Sequence, residues 1–451
     1  MVRKQVLGRL TGLVLSLGLV GALAPSLANA QTAEPAYAAK FRAVGATPEE
    51  IQKLEQMYNE GPPDARKWFD DGKPPVLKAI LEHQRGVWAG ESAHPLMKIG
   101  APLPSFSLKG VDGKTYTQAT VKDAKVLVIM FVSNHCPASQ MYEEREKQLV
   151  AKYASKGVAF LAVQPDGPLA SAPSEHNYTD VPDDLEGMKV RASYRHYTYP
   201  YLYDGDQQAL AKALGPRATP HIFIFDQNRK LRYEGRIDNN LRAEKATTHE
   251  ASDTIDALLA GKEPAVTHMP VFGCSTKWND DSSAGAERER SQWAAMPVTV
   301  DSVTNAQLTA LRKTAPGKML IVNFWATWCG PCKVEMPEIV QSYQWYRSRG
   351  VDLVTVSVDS PASRPAVLSF MQQVHSPARN LQVDNEDLFA VQAAFDPEWQ
   401  SGVPLTLVLA PDGHVIYRSE GEADIYKMRR AILANLDDAG PFAGNADYWK
   451  H

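Results

Sequence analysis

Apolar residues in this chain gather into short runs separated by breaks. The runs at 126–132, 158–163, 221–225, 319–325, 351–356 and 405–409 are rich in Val, Ile, Leu and Phe, and the stretches between them change to helical spacing. Short runs of this kind alternating with helical segments predict α/β domains with a largely buried central sheet.

The runs fall into two sets of three, in the same order. Lys125 stands eleven residues before Cys136, and Lys318 eleven before Cys329. Twenty-one residues past each cysteine a Gly-Val pair (Gly157-Val158, Gly350-Val351) opens a run that leads to Asp166 or Asp359. The third run follows Thr219-Pro220 or Val403-Pro404, with Tyr233 and Tyr417 thirteen residues past the prolines. Such a repeat implies one fold built twice. The expected organisation is a first domain over residues 96–278, a polar linker over 279–296, a second domain over 297–440 and a tail over 441–451.

Residues 31–95 predict a helical preface. Thr47-Pro48-Glu49-Glu50 reads as a helix start with Ile51, Leu54 and Tyr58 at helical spacing behind it, Gly61-Pro62-Pro63 breaks the pattern, and residues 76–88 resume it. His83 and His94 are isolated and read as surface or packing residues.

Ahead of the preface, Arg3, Lys4 and Arg9 precede an uncharged apolar run over residues 10–24, then Pro25 and Ala28-Asn29-Ala30. This pattern predicts a secretory signal peptide over residues 1–30. An uncleaved anchor fits less well, because the run falls short of the ~20 residues needed to span a bilayer. The expected protein is periplasmic, with no transmembrane anchor after cleavage.

Charge adds one exclusion. Lys plus Arg is 48 against 52 Asp plus Glu, a formal net charge of −4, and no basic block offers a footprint for nucleic acid. The four cysteines, Cys136, Cys274, Cys329 and Cys332, are too few for a disulfide scaffold, so their placement carries the meaning. Outside the cytoplasm they read most simply as two pairs.

Trp328-Cys329-Gly330-Pro331-Cys332 follows an apolar run and opens a helix over residues 332–346. At a helix N-terminus the first thiolate is stabilised, which makes Cys329 the candidate nucleophile, and Cys332 is placed to resolve a mixed disulfide. Half a zinc site and a purely structural bridge are the bland readings, and zinc lacks its further ligands here. In the first copy the equivalent turn is Asn134-His135-Cys136-Pro137-Ala138-Ser139, with serine in place of the second cysteine. By elimination, and given export, Cys136–Cys274 is the preferred second pair. Cysteine and histidine side by side suit copper, but neither copy spaces its cysteines four apart, so no metal is expected.

The second copy resembles the TlpA/ResA-like branch of the thioredoxin superfamily, on Asn323-Phe-Trp-Ala-Thr-Trp-Cys-Gly-Pro-Cys-Lys-Val-Glu-Met-Pro337 and Gly402-Val403-Pro404. The resemblance implies a cis-proline at Pro404 beside the disulfide, where its neighbours pair with the substrate backbone. It also implies a carboxylate at Glu335 that tunes the pair and relays protons; an exposed first-turn acid is the alternative. Thioredoxin has a buried Asp where this chain has Asn323. The first copy resembles AhpC/TSA-type redoxin-like proteins, on Asn134-His-Cys-Pro137, Thr219-Pro-His-Ile-Phe-Ile-Phe-Asp226 and Gly273-Cys-Ser-Thr-Lys-Trp278, with Pro220 at the cis-proline position. Peroxiredoxins place Pro seven and Thr or Ser three residues before the cysteine; Ser133 fits and Ile129 does not.

Together these imply two tandem thioredoxin-like domains, each a central mixed sheet flanked by helices, behind a helical preface. The expected activity is that of an exported thiol–disulfide oxidoreductase. It would reduce disulfides of periplasmic proteins through Cys329 and Cys332, cytochrome c precursors among them, with electrons from a membrane or soluble thiol donor and no cofactor. Two alternatives stand beside it: a thiol peroxidase relay with Cys136 peroxidatic and the second domain as its reductant, and a first domain that is a non-catalytic docking module.

Overall fold

A computed structural model describes residues 14–16, 36–60, 69–280, 283–312, 318–400, 402–436 and 442–450. The expected signal peptide lies outside the described residues apart from a short strand, β1 (Val14–Ser16). The chain divides into two compact units, Met1–Ser171 with Pro182–Ser283 and Ala439–Ala443, and Ala172–Val181 with Ala284–Asp438 and Gly444–His451.

The first unit opens with helices α1 (Ala36–Ala43), α2 (Pro48–Glu60) and α3 (Pro74–Ala93). Helix α2 starts where the sequence predicts. The Glu50 N–H donates to Thr47 Oγ1 at 3.2 Å and the Thr47 N–H donates to Glu50 Oε2 at 2.7 Å, a reciprocal cap that satisfies two otherwise orphaned donors. Tyr37, Phe41, Leu54, Phe69, Leu77 and Leu81 close a small core of their own.

Strands β2 (Ser107–Gly110), β3 (Thr115–Thr117), β4 (Val126–Phe131), β5 (Val158–Gln164), β6 (Tyr201–Tyr203), β8 (His221–Phe225) and β9 (Leu231–Gly235) form one sheet in the order β3-β2-β6-β5-β4-β8-β9. Helices α4 (Pro137–Tyr153), α5 (Leu185–Tyr194), α6 (Ala209–Leu214) and α7 (Glu250–Leu259) belong to the same unit. Every residue of β4 is buried because alternate side chains enter different cores, Val126, Val128 and Met130 on one face and Leu127, Ile129 and Phe131 on the other. A further strand, β10 (Val271–Ser275), pairs with β1 on one side and with the two-residue β7 (Ala218–Thr219) on the other.

The second unit carries α8 (Ser283–Ala294), β11 (Val300–Val303), α9 (Asn305–Leu311), β12 (Met319–Trp325), α10 (Gly330–Tyr346), β13 (Val351–Ser357), α11 (Arg364–Gln373), β14 (Arg379–Val383), α12 (Leu388–Phe395), β15 (Leu405–Leu409), β16 (Val415–Glu420) and α13 (Ile425–Ala434). Its sheet order is β11-β14-β13-β12-β15-β16.

The sequence repeat is a repeat of register. Phe131 lies opposite Val163 and His221, and Phe324 opposite Val356 and Leu405. Both outer hairpins slip register at one place, just after Ile224 meets Tyr233 and Val408 meets Tyr417. The copies differ at the far edge, where β2 runs antiparallel to β6 but β11 runs parallel to β14, and β3 has no counterpart among the described residues.

Two segments differ from their sequence reading. The expected polar linker contains α8, whose Ala286 and Trp293, two turns apart, are buried, while Glu289 accepts hydrogen bonds from the Ser174 N–H at 2.8 Å and hydroxyl at 2.6 Å. A charge-rich run masked two apolar positions on one helical face. In the expected tail, residues 445–450 form a short 3-10 turn that buries Trp449 in the core shared with Trp293.

One buried acid in the first unit sets a pH dependence. Glu146 of α4 is buried, with Oε2 at 3.4 Å from the Tyr199 hydroxyl and Oε1 without a hydrogen-bond partner among the described residues. Burial, reinforced by the charge of Glu143, raises it from 4.5 to about 8. The folded state therefore binds this proton more tightly than the unfolded one. Its stabilisation is complete below the unfolded value and is lost as pH rises through about 8. Urea melts should show Glu146→Gln gaining roughly 2–4 kcal/mol on the wild type between pH 5 and 9; parallel pH profiles would contradict this.

Candidate active site

In the second unit the buried strand β12 delivers the chain to a short loop and then to α10. Cys329 is the residue that caps α10, and its Sγ accepts the Cys332 N–H at 3.3 Å. The two cysteines are joined by a disulfide with Cα atoms 5.4 Å apart. The loop is pinned from behind, since the Thr327 N–H and hydroxyl donate to Asp359 at 2.9 and 2.6 Å. Cys332 is fully buried, Cys329 is 5% exposed, and Trp328 beside it is 67% exposed. The Val403 carbonyl oxygen lies 3.6 Å from Cys329 Sγ, and the Val403–Pro404 peptide is cis.

Glu335 is a buried acid rather than an exposed first-turn one, three residues past Cys332 and therefore on the same helical face. Its carboxyl accepts from Asn323 Nδ2 at 2.9 Å, the Ala423 N–H at 2.7 Å and the Thr406 hydroxyl at 3.5 Å. Burial raises its pKa, and these three donors oppose the rise without cancelling it. Asn323 Oδ1 has no hydrogen-bond partner among the described residues. Turned about, the same amide could accept from a protonated Glu335, so position 323 can serve both states of the acid.

The first unit repeats the cap and changes its surroundings. Cys136 caps α4, and its Sγ receives the Ser139 N–H at 3.5 Å and the Cys274 N–H at 3.4 Å, while the thiol itself reaches the Thr219 carbonyl at 2.9 Å. Pro220, next in the chain, is cis. Burial pushes the Cys136 thiol up, but the hydrogen bond from Cys274 and the charge of His135 outweigh it and bring the thiol down to about 5. The expected Cys136–Cys274 disulfide is not formed in this structure; both are thiols, held side by side. Ser133 does not address the sulfur, because its hydroxyl pairs with Thr219 Oγ1 at 2.9 Å.

The acids around the two thiols come from different places. The positions matching Glu335, Asn323 and Thr406 are Tyr142, Met130 and Ile222, so no carboxyl lies beneath Cys136 in the way Glu335 lies beneath the CxxC. Instead His135 Nδ1 is paired with Asp183, with Asp166 at 4.0 Å. Asp183 also accepts the Asn134 N–H at 2.6 Å. Burial raises Asp166 to about 7, with the neighbouring Asp183 adding to the rise and His135 opposing it. Asp183 gave no signal in the sequence, because it arrives from the long excursion between β5 and α5. Asp166 was visible as part of the repeat, though not its role. Among the described residues no group of three or more His, Cys, Asp or Glu is arranged to hold a metal ion.

The Redoxin profile matches residues 98–251 and again residues 293–432. The chain belongs to the Redoxin family. The redoxin segment thus occurs twice, and the expectation of two tandem thioredoxin-like α/β domains holds. Among relatives of this redoxin, the thiol-disulfide oxidoreductase ResA of Bacillus subtilis is 37% identical over 100 residues, 22% of this chain and 51% of ResA. ResA of Oceanobacillus iheyensis is 47% identical over 53 residues, 12% and 28% of the respective chains. The redoxin spans about half or less of the length of these curated relatives. Among solved structures, an uncharacterized conserved protein from Geobacillus kaustophilus has 32% identity and a TM-score of 0.36, covering 41% of this chain and 94% of its own. The thioredoxin domain of a thiol-disulfide oxidoreductase from Bacteroides vulgatus has 11% identity and a TM-score of 0.27, covering 36% and 99%.

After the Cys274 hydrogen bond, the charge of His135, which pairs with Asp183, contributes to lowering Cys136 in this redoxin. Asp183→Asn removes the carboxylate paired with His135, so the Cys136 midpoint should climb from about 5 by roughly one unit or more. Ultraviolet thiolate absorbance against pH, with the CxxC left oxidised, reads the shift directly. An unmoved midpoint would mean that the hydrogen bonds with Cys274, Thr219 and Ser139 hold the thiolate without His135.

Proposed function

We propose that this redoxin is a thiol–disulfide oxidoreductase that reduces disulfides of exported proteins through Cys329 and Cys332. The observation that carries the reading is the helix-capping cysteine pair, lying beside the exposed Trp328 and backed by the buried Glu335. In the reduced enzyme the Cys329 thiolate attacks a substrate disulfide. One substrate sulfur leaves as a thiol and the other is held in a mixed disulfide. Cys332 then loses its proton and attacks Cys329 Sγ, which frees the second substrate thiol and closes the Cys329–Cys332 disulfide. Glu335, whose pKa burial raises, would exchange that proton in this reading. The backbone before Pro404 supports a docking role, since it borders the attacking sulfur. A membrane or soluble thiol donor outside the cytoplasm returns the enzyme to its dithiol form, and cytochrome c precursors are among the candidate substrates.

Insulin disulfide reduction by the full chain tests this. Cys329→Ser should abolish turnover, and Cys332→Ser should accumulate a covalent substrate adduct at Cys329, detected by mass spectrometry. Glu335→Gln should cost about 10–100-fold in rate and flatten the pH profile on the side where Glu335 ionises. Undiminished turnover in Cys329→Ser would sink the assignment.

A further inference from the structure

Beside Cys329, no strand pairs with the backbone edge ahead of Pro404 among the described residues. In the first unit the corresponding edge is occupied. Strand β10 runs antiparallel along β7 with Cys274 opposite Thr219 and Ser275 opposite Ala218. The approach is close enough to demand glycine, because a Cβ on Gly273 would stand 1.9 Å from the Thr219 carbonyl oxygen. The segment is fastened along its length. Phe272 packs on the core of the N-terminal helices, and the Thr276 N–H and hydroxyl donate to the carbonyls of Arg217 at 3.2 Å and Pro216 at 2.9 Å. The Lys277 N–H donates to Asp166 at 2.7 Å, and Trp278 is buried in the sheet core. Asp359, the repeat partner of Asp166, has no such duty and holds the loop before the CxxC instead. Under this strap Cys136 is 0% exposed.

A peptide that pairs with an open backbone edge and brings a sulfur against a helix-capped thiolate does what a disulfide substrate must do. We propose that β10 is a built-in occupant of the first unit's thiol groove, so that Cys136 and Cys274 form a closed dithiol couple open to small disulfides and shut to folded protein disulfides. The couple stands apart from the reaction at Cys329 and Cys332 and needs neither residue. Its oxidation by a small disulfide RSSR balances within the unit. The Cys136 thiolate attacks one sulfur, and the leaving RS⁻ takes up a proton. Cys274 gives up its proton and attacks Cys136 Sγ, expelling the second RS⁻, which leaves as RSH. Two thiols have become one disulfide, and RSSR has become two RSH. Entry of RSSR requires only local opening of the strap.

The test uses the full chain carrying Cys329→Ala and Cys332→Ala, poised with 2-hydroxyethyl disulfide and 2-mercaptoethanol, thiol-trapped and analysed by peptide mass spectrometry. Cys136 and Cys274 should disappear together as one two-electron couple and appear as a linked peptide. Cys274→Ser, which keeps the strand, should stop at a Cys136–mercaptoethanol adduct. A polymer-tagged maleimide should label Cys136 slowly in the parent chain and at least about tenfold faster in Gly273→Val, which lifts the strand from Thr219. Absence of the linked peptide at every thiol–disulfide ratio, in protein with native circular dichroism, would overturn the couple. Equal labelling of Cys136 in the parent and Gly273→Val chains would overturn the occluding strand. Where Gly273→Val does not fold, the linked peptide and the Cys274→Ser adduct decide. Loss of insulin reduction in Cys329→Ser is scored separately, so either reading can fail without the other.

Discussion

A sulfur atom at the head of a helix, accepting the N–H three residues on, is the interaction around which both units are organised. It exists only because a fully buried strand ends there. The strand cannot move without opening two cores at once, so the helix start is held in place and its free N–H groups favour negative charge on the capping atom. Each later difference between the units is a difference in what surrounds that sulfur.

In the second unit the surroundings set the sulfur beside an exposed tryptophan and put the acid behind it. Trp328 projects to solvent, the edge before Pro404 is not covered by a strand of the described residues, and Glu335 is buried among Asn323, Thr406 and the Ala423 N–H. In the first unit the same positions are apolar or aromatic beneath the thiol, and the charges come from the loop side through His135, Asp183 and Asp166. The Cys136 thiol is brought down to about 5 and is also covered, a combination suited to small reagents rather than to folded substrates.

The covering strand links most of the unexplained features of the first unit. Gly273, Asp166, Thr219 and the N-terminal helices each make a contact that keeps residues 271–278 in place. A helical preface that carries no chemistry of its own thereby acquires a mechanical part, through Phe272.

The repeat was legible in the chain itself because register in a buried sheet leaves no freedom. The spacing from lysine to cysteine, from cysteine to Gly-Val and from proline to tyrosine is what the strand pairings require, down to the shared slip just before Tyr233 and Tyr417. The CxxC was likewise readable from local spacing, whereas the two prolines and Glu335 were readable only through the family resemblance of their motifs. The helix hidden in the charged segment before Trp293 was not, because two apolar residues two turns apart are a faint signal among charges. Nor was Asp183 readable as the partner of His135, or β10 as the lid on Cys136. Those contacts join residues about 50 to 140 positions apart across irregular loops, where no periodicity constrains the path and only packing decides which groups meet.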